Sequence, residues 1–174
     1  MVCACALLAA PGMAHALEIN GGVSLGGILS GITPRLAVSP HASVAWRTGS
    51  GWLFAAHEVL SILPATNSDG VGVHNQTSVT VGYGSEKIDL HLGPALSIYS
   101  MPACGLSPGA PRPLCGRVVG VAPGGHAQVD VYVAGPLGLS VSANIGWVGG
   151  RSAVLPGNVS GMVLAGPVLR WRSM

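Results

Sequence analysis

Residues in this chain alternate between apolar and polar. From Glu86 to Ser100, one face carries Ile88, Leu90, Leu92, Pro94, Leu96 and Ile98, and the other carries Lys87, Asp89, His91, Gly93, Ala95, Ser97 and Tyr99. Successive side chains of a β-strand point to opposite sides, so a period of two selects a strand with one apolar and one polar face. The pattern recurs over Arg117–Ala134, where Val119, Val121, Pro123, Ala127, Val129, Val131 and Val133 oppose Gly120, Gly124, His126, Gln128, Asp130 and Tyr132. It is clear in Pro34–Arg47, Val73–Tyr83 and Leu137–Trp147 and weaker in Leu17–Leu29 and Asn158–Trp171. From position 52 onward it conflicts, because Trp52, Phe54, Leu60 and Ile62 share a face with Glu58. A bulge there would resolve the conflict.

These segments are eight candidate strands, and their connections differ systematically. Thr48–Gly51, Gly84–Ser85 and Ala134–Pro136 read as tight turns, while 64–71, 102–116 and 149–157 are longer, with 30–33 the short exception. In an up-and-down barrel this puts tight turns at one rim and long loops at the other, the asymmetry of outer-membrane barrels. Pro40, Pro94, Pro123 and Pro167 fall on apolar faces; each removes a ladder donor, and bulges are the expected accommodation.

Composition decides which face is wet. Charged residues are 8 % of 174, against about 25 % in ordinary soluble domains. The polar faces are mostly serine, glycine, histidine and glutamine, a poor solvent-facing surface but a good hydrogen-bonded interior. The apolar faces carry Trp46, Trp52, Tyr83, Trp147 and Trp171, several near strand ends, where an interfacial girdle lies. A closed barrel also satisfies its backbone polar groups internally, as hydrocarbon requires. The expectation is an all-β, eight-stranded antiparallel up-and-down transmembrane β-barrel. A soluble, secreted lipocalin-like barrel would need the opposite facing. The net charge of +2 is too weak and scattered for a nucleic-acid partner.

Residues 1–16 read as an export signal: an apolar core from Val2 to Ala10, a Pro-Gly break, and Ala14-His15-Ala16 as an A-x-A cleavage site. The barrel domain is then 17–174, in the bacterial outer membrane. The mature chain keeps Cys104 and Cys115, whose place in one loop of an exported protein predicts a disulfide. Closing a loop of that length stabilises by about 3 kcal/mol.

With alternation, loop asymmetry and export signal together, the chain from Leu17 to Trp171 resembles the small eight-stranded outer-membrane barrels, the OmpA/OmpX-like group. Members of that group usually end on an aromatic residue; here Arg172-Ser173-Met174 follow Trp171.

Motifs for chemistry are sparse. Gly22-Val23-Ser24-Leu25-Gly26 matches G-x-S-x-G, but it lies within a strand rather than at a strand-to-helix elbow. His41, His57, His74, His91 and His126 fall on predicted inward faces of five strands. If Arg47 faces Gly51, His41 lies opposite His57; if Met101 pairs near Gly116, His91 lies opposite His126. Histidines ligate metal when three or four nitrogens converge, and they serve equally as hydrogen-bond partners for Ser78 and Asn144. The preferred reading is a luminal polar network of His41, His57, Ser78, Asp89, His91, His126, Asp130 and Asn144. No metal or cofactor is assigned, and His41, His57, His91 and His126 are the weak metal candidates. Interior charges nearly balance, with Glu18, Asp89 and Asp130 against Arg35, Arg47, Lys87 and Arg170, so they plug the lumen.

Function is then that of a structural or interaction scaffold displaying loops at the outer rim, as a monomer with outer-membrane lipid around it and no named protein partner. Arg112, Arg117 and Arg151 at that rim offer contacts to lipopolysaccharide phosphates. The alternative is a barrel enzyme acting on envelope lipids. It would need a serine or aspartate within hydrogen-bond reach of His74, where Asp69 is the candidate acid.

Overall fold

The computed structural model describes residues 16–30, 33–65, 70–105, 114–147 and 159–173. The strands are β1 (Ala16–Ser30), β2 (Thr33–Arg47), β3 (Trp52–Leu63), β4 (Gly72–Gly84), β5 (Ile88–Gly105), β6 (Leu114–Ala134), β7 (Leu137–Trp147) and β8 (Val159–Arg172). Each pairs antiparallel with its neighbours, and β8 returns to β1, closing an up-and-down barrel. Register partners on the outer face run from Leu17 through Trp46, Phe54, Val81, Leu92, Ala127, Ala143 and Val163 back to β1 at Gly27. The path rises from position 17 to position 27. A stagger of ten residues over eight strands tilts them by about 35–45° to the barrel axis.

Side-chain facing is opposite to that of a soluble barrel. Leu90, Leu92, Leu96, Val129 and Val131 are exposed, with Leu92 at 69 %, whereas Asp89, His91, His126 and Asp130 are buried. Trp52, Tyr83 and Trp171 point outward near the tight-turn end, and Trp147 near the other. Trp52 and Tyr83 are register partners whose rings meet edge to face at 6.0 Å.

Several expectations need correction. No bulge relieves β3, which alternates without interruption and leaves Glu58 on the outer face. Among the described residues the one register shift lies between β6 and β7, at Tyr132 and Ala134. The prolines are accommodated differently. Beside Pro40, Pro94 and Pro167 one ladder skips two pairs and resumes in the same register. The missing N–H costs a hydrogen bond, and before Pro94 and Pro167 a glycine lets the strands close up. A Cβ on Gly93 would stand 2.1 Å from the Val79 carbonyl oxygen, and one on Gly166 2.2 Å from that of Val23.

The long connection is shorter than 102–116, because β5 runs to Gly105 and β6 starts at Leu114, with Cys104 and Cys115 as register partners. Lys87 is not luminal: the strand begins at Ile88 and Lys87 is exposed in the preceding turn. Both histidine pairings shift by two residues. Arg47 pairs with Leu53, because Thr48 N–H donates to the Trp52 carbonyl and these two residues close the turn, so His57 faces Ser43 and His41 faces Val59. Met101 pairs with Val118, so His91 faces Gln128 and His126 faces Gly93. A two-residue shift preserves facing, which is why the inner and outer sets survive it.

Candidate functional site

The lumen is the candidate site, and it is built in three storeys. The lowest, beside the tight turns, is ionic. Glu18 on β1 accepts from Arg47 Nε at 2.6 Å and Nη2 at 3.1 Å. The same Nη2 donates to Asp89 Oδ1 at 2.6 Å, and Arg170 Nη1 donates to Asp89 Oδ2 at 3.3 Å. Arg172 Nε donates to Glu18 Oε1 at 2.7 Å. The Arg170 guanidinium lies 3.6 Å over the Tyr132 ring and also donates to the Glu86 carbonyl. Both carboxylates are buried, so every charge there depends on this pairing.

The middle storey is a polar network. His57 Nε2 is 2.9 Å from Thr80 Oγ1, which lies 3.4 Å from His91 Nδ1. The rings of His91 and His126 stand 4.9 and 5.1 Å from that of His57. His126 Nδ1 is 2.6 Å from Asn144 Oδ1, its Nε2 is 3.2 Å from Gln128 Oε1, and Gln76 Nε2 reaches both His126 and Asn144. Gln128 donates onward to Asp130 at 3.0 Å. His41 Nδ1 lies 3.3 Å from Ser24 Oγ.

The structure therefore brings His57, His91, His126, Asn144 and Asp130 into one chain of contacts. Asp89 belongs to the ionic storey, His41 stands apart with Ser24, and buried Ser78 Oγ has no partner among the described residues. Among the described residues no group of three or more His, Cys, Asp or Glu side chains is arranged to hold a metal ion. His57 Nε2 faces a threonine hydroxyl and His126 Nε2 an amide oxygen, so these nitrogens do not converge on one point.

The upper storey was missed in the sequence. Ile28, Val59, Leu63, Tyr99, Met162 and Leu164 form a buried apolar cluster in the lumen toward the long-loop rim. The signal was present as weak alternation in the first, third and last strands, where Ile28, Val59, Leu63, Met162 and Leu164 put apolar residues on the inner face as well. Arg172 was missed too, because it follows the last aromatic residue and lay outside the counted interior charges.

His74 is buried level with this storey, opposite Tyr99 in the ladder, beside a small cavity also lined by Ile28, Met162, Ser97 and Asn144. Its Nδ1 has no hydrogen-bond partner among the described residues, and Asp69 lies outside them.

A closed eight-stranded antiparallel barrel, apolar outside and polar inside, has the architecture of the small outer-membrane barrels. Solved structures of that class superpose along nearly the whole chain. Neisserial surface protein A is similar with a TM-score of 0.54 and 17 % identity, over 92 % of this chain and 99 % of that one. Ail of Yersinia pestis gives 0.60 and 12 %, over 90 % and 98 %. The N-terminal barrel domain of Pseudomonas aeruginosa OprF gives 0.54 and 10 %, over 90 % and 97 %. At these identities the likeness is one of fold. No family model matches the sequence, and no curated protein does.

Proposed function

We propose that this chain is an outer-membrane barrel with a plugged lumen, serving as a scaffold that displays loops at its outer rim. The observation that carries this reading is the facing: Leu36 and Leu92 are 80 % and 69 % exposed, while Glu18 and Asp130 are 0 % exposed. A surface of that kind is stable against hydrocarbon and not against water. Two layers support a plug. Arg47 links Glu18 to Asp89 within the bore, and a cluster of buried apolar side chains packs above it.

Export by a signal in residues 1–16, of which 1–15 lie outside the described residues, belongs to the same reading. So does a disulfide between Cys104 and Cys115. Directly opposed residues of an antiparallel pair have Cα atoms about 4.5–5.5 Å apart, within the span of a disulfide. Lipopolysaccharide phosphates are the proposed rim contact. Of the three rim arginines, Arg117 is described and exposed; it donates to Ser100 Oγ and the Val71 carbonyl, which hold its guanidinium at the rim.

The test is heat-modifiable gel mobility after membrane fractionation, together with ion conductance in planar bilayers. A mobility shift on boiling from the outer-membrane fraction, with no discrete channel openings, is expected. Recovery in the soluble periplasmic fraction would overturn the membrane assignment, and steady large conductance would overturn the plug.

A further inference from the structure

Strands β4 and β7 are not neighbours in the sheet, yet their side chains meet inside the bore, where Gln76 donates from Nε2 to Asn144 Oδ1. His74 is the next inward residue of β4 toward the long-loop rim, so it stands beside the same asparagine. The two line a cavity of about 10 Å³ together with Ser97, Ser160, Ile28 and Met162. Each brings a polar atom with no partner among the described residues, Nδ1 of His74 and Nδ2 of Asn144. Their residues are only 4 % and 7 % exposed, so bulk solvent does not satisfy these atoms. A buried polar group left unpaired is costly, and native lumens and cores pair nearly all of theirs.

We propose that this cavity is a binding site for one ordered water molecule, which bridges Asn144 to His74 and so ties β4 to β7 a second time. The inference depends on the lumen alone and is independent of what surrounds the barrel. Where Arg47 links two non-adjacent strands by charge near the tight turns, the water links two others by hydrogen bonds near the opposite rim.

The donors and acceptors select the occupant. Asn144 Oδ1 already accepts from Gln76, which leaves the amide NH₂ for the cavity. An NH₂ group only donates, so it turns away a metal ion or an ammonium. Among the described residues no lysine or arginine lines the cavity, so nothing there holds a small anion. A water molecule accepts from Asn144 Nδ2. It donates to a bare His74 Nδ1 or accepts from a protonated one, so it serves either tautomer of the ring. The hydroxyls of Ser97 and Ser160 supply further partners, which brings the site within the two to four that a buried water commonly finds. The volume admits one water and no larger ligand.

The experiment measures magnetisation transfer from water to methyl protons, in folded barrel carrying ¹³C-labelled Met, Ile and Leu methyl groups in deuterated detergent micelles. Methyl protons do not exchange with solvent, so a cross-peak reports water held against the group. Wild-type protein should show cross-peaks of a long-lived water at the methyl groups of Met162 and Ile28, which line the cavity. Leu63, fully buried in the same apolar cluster but not lining the cavity, should show none. His74→Phe, which takes away one of the water's partners and fills its space, should abolish the Met162 and Ile28 cross-peaks. His74→Gln, which returns a polar atom, should keep them. Heat-modifiable mobility identifies the folded samples; if His74→Phe does not fold, the contrast between Met162 and Leu63 in wild-type protein carries the test. Absence of the Met162 and Ile28 cross-peaks from folded wild-type protein overturns the proposal. So does an equal cross-peak at Leu63, and so do cross-peaks that persist unchanged in folded His74→Phe.

Discussion

Arg47 Nη2 lies 2.6 Å from Asp89 Oδ1, joining β2 to β5 across the bore although these strands are not neighbours in the sheet. Arg47 also holds Glu18, so one guanidinium bridges two buried carboxylates. Arg47→Met keeps length and apolar bulk but leaves both acids short of a partner. We expect a loss of about 3–5 kcal/mol in urea-unfolding stability in lipid, as for other broken buried ion pairs. A loss below about 1 kcal/mol would show that Arg170 and Arg172 suffice without it.

Facing predicts a contrast within one strand. Leu92→Arg places a cation on the apolar belt, at a cost of about 2–4 kcal/mol near mid-depth, and should reduce the folded fraction on insertion. Ser97→Ala removes a buried hydroxyl beside a cavity and should change stability by less than about 1 kcal/mol. Equal insertion yields for the two variants would contradict the outward facing of Leu92.

Gly93 and Gly166 precede the prolines at which a ladder opens, and each lets a neighbouring carbonyl come within reach of its missing side chain. Gly93→Ala should therefore destabilise by about 1–3 kcal/mol, as overpacking does elsewhere. Gly70→Ala makes a useful comparison: its φ of 80° strains the backbone, yet a Cβ there meets nothing within 4 Å. Urea midpoints of the two variants separate collision from backbone strain.

The opposed cysteines should be oxidised in protein recovered from the envelope. A free-thiol assay on unreduced, denatured mature protein should find neither Cys104 nor Cys115 reactive. Two reactive thiols would remove the disulfide from the proposal.

Facing was legible wherever one side of a strand is charged or imidazole-bearing. Asp89, His91, His126 and Asp130 alternate with leucines and valines, so β5 and β6 admit one orientation. In β3, Leu53, Val59 and Leu63 point inward while Leu60 and Ile62 point outward, and binary pattern cannot separate two apolar faces. Glu58 then looked like an error to be absorbed by a bulge, when it is an outward carboxyl on a regular strand. Histidine pairing failed for a different reason. Register depends on which residues close a turn, and closure by Thr48 and Trp52 rather than Arg47 and Gly51 displaced His41 from His57 by two positions.

The ionic storey takes its members from both ends of the chain. Glu18 sits at the start of β1, and Arg170 and Arg172 at the end of β8. Until the last strand reaches the first, Glu18 lacks Arg172 and Asp89 lacks Arg170. A partly assembled sheet in the bilayer would expose these charges along an open edge. Sealing the seam is therefore the step that completes neutralisation, so assembly rewards the finished ring over any subset of its hairpins.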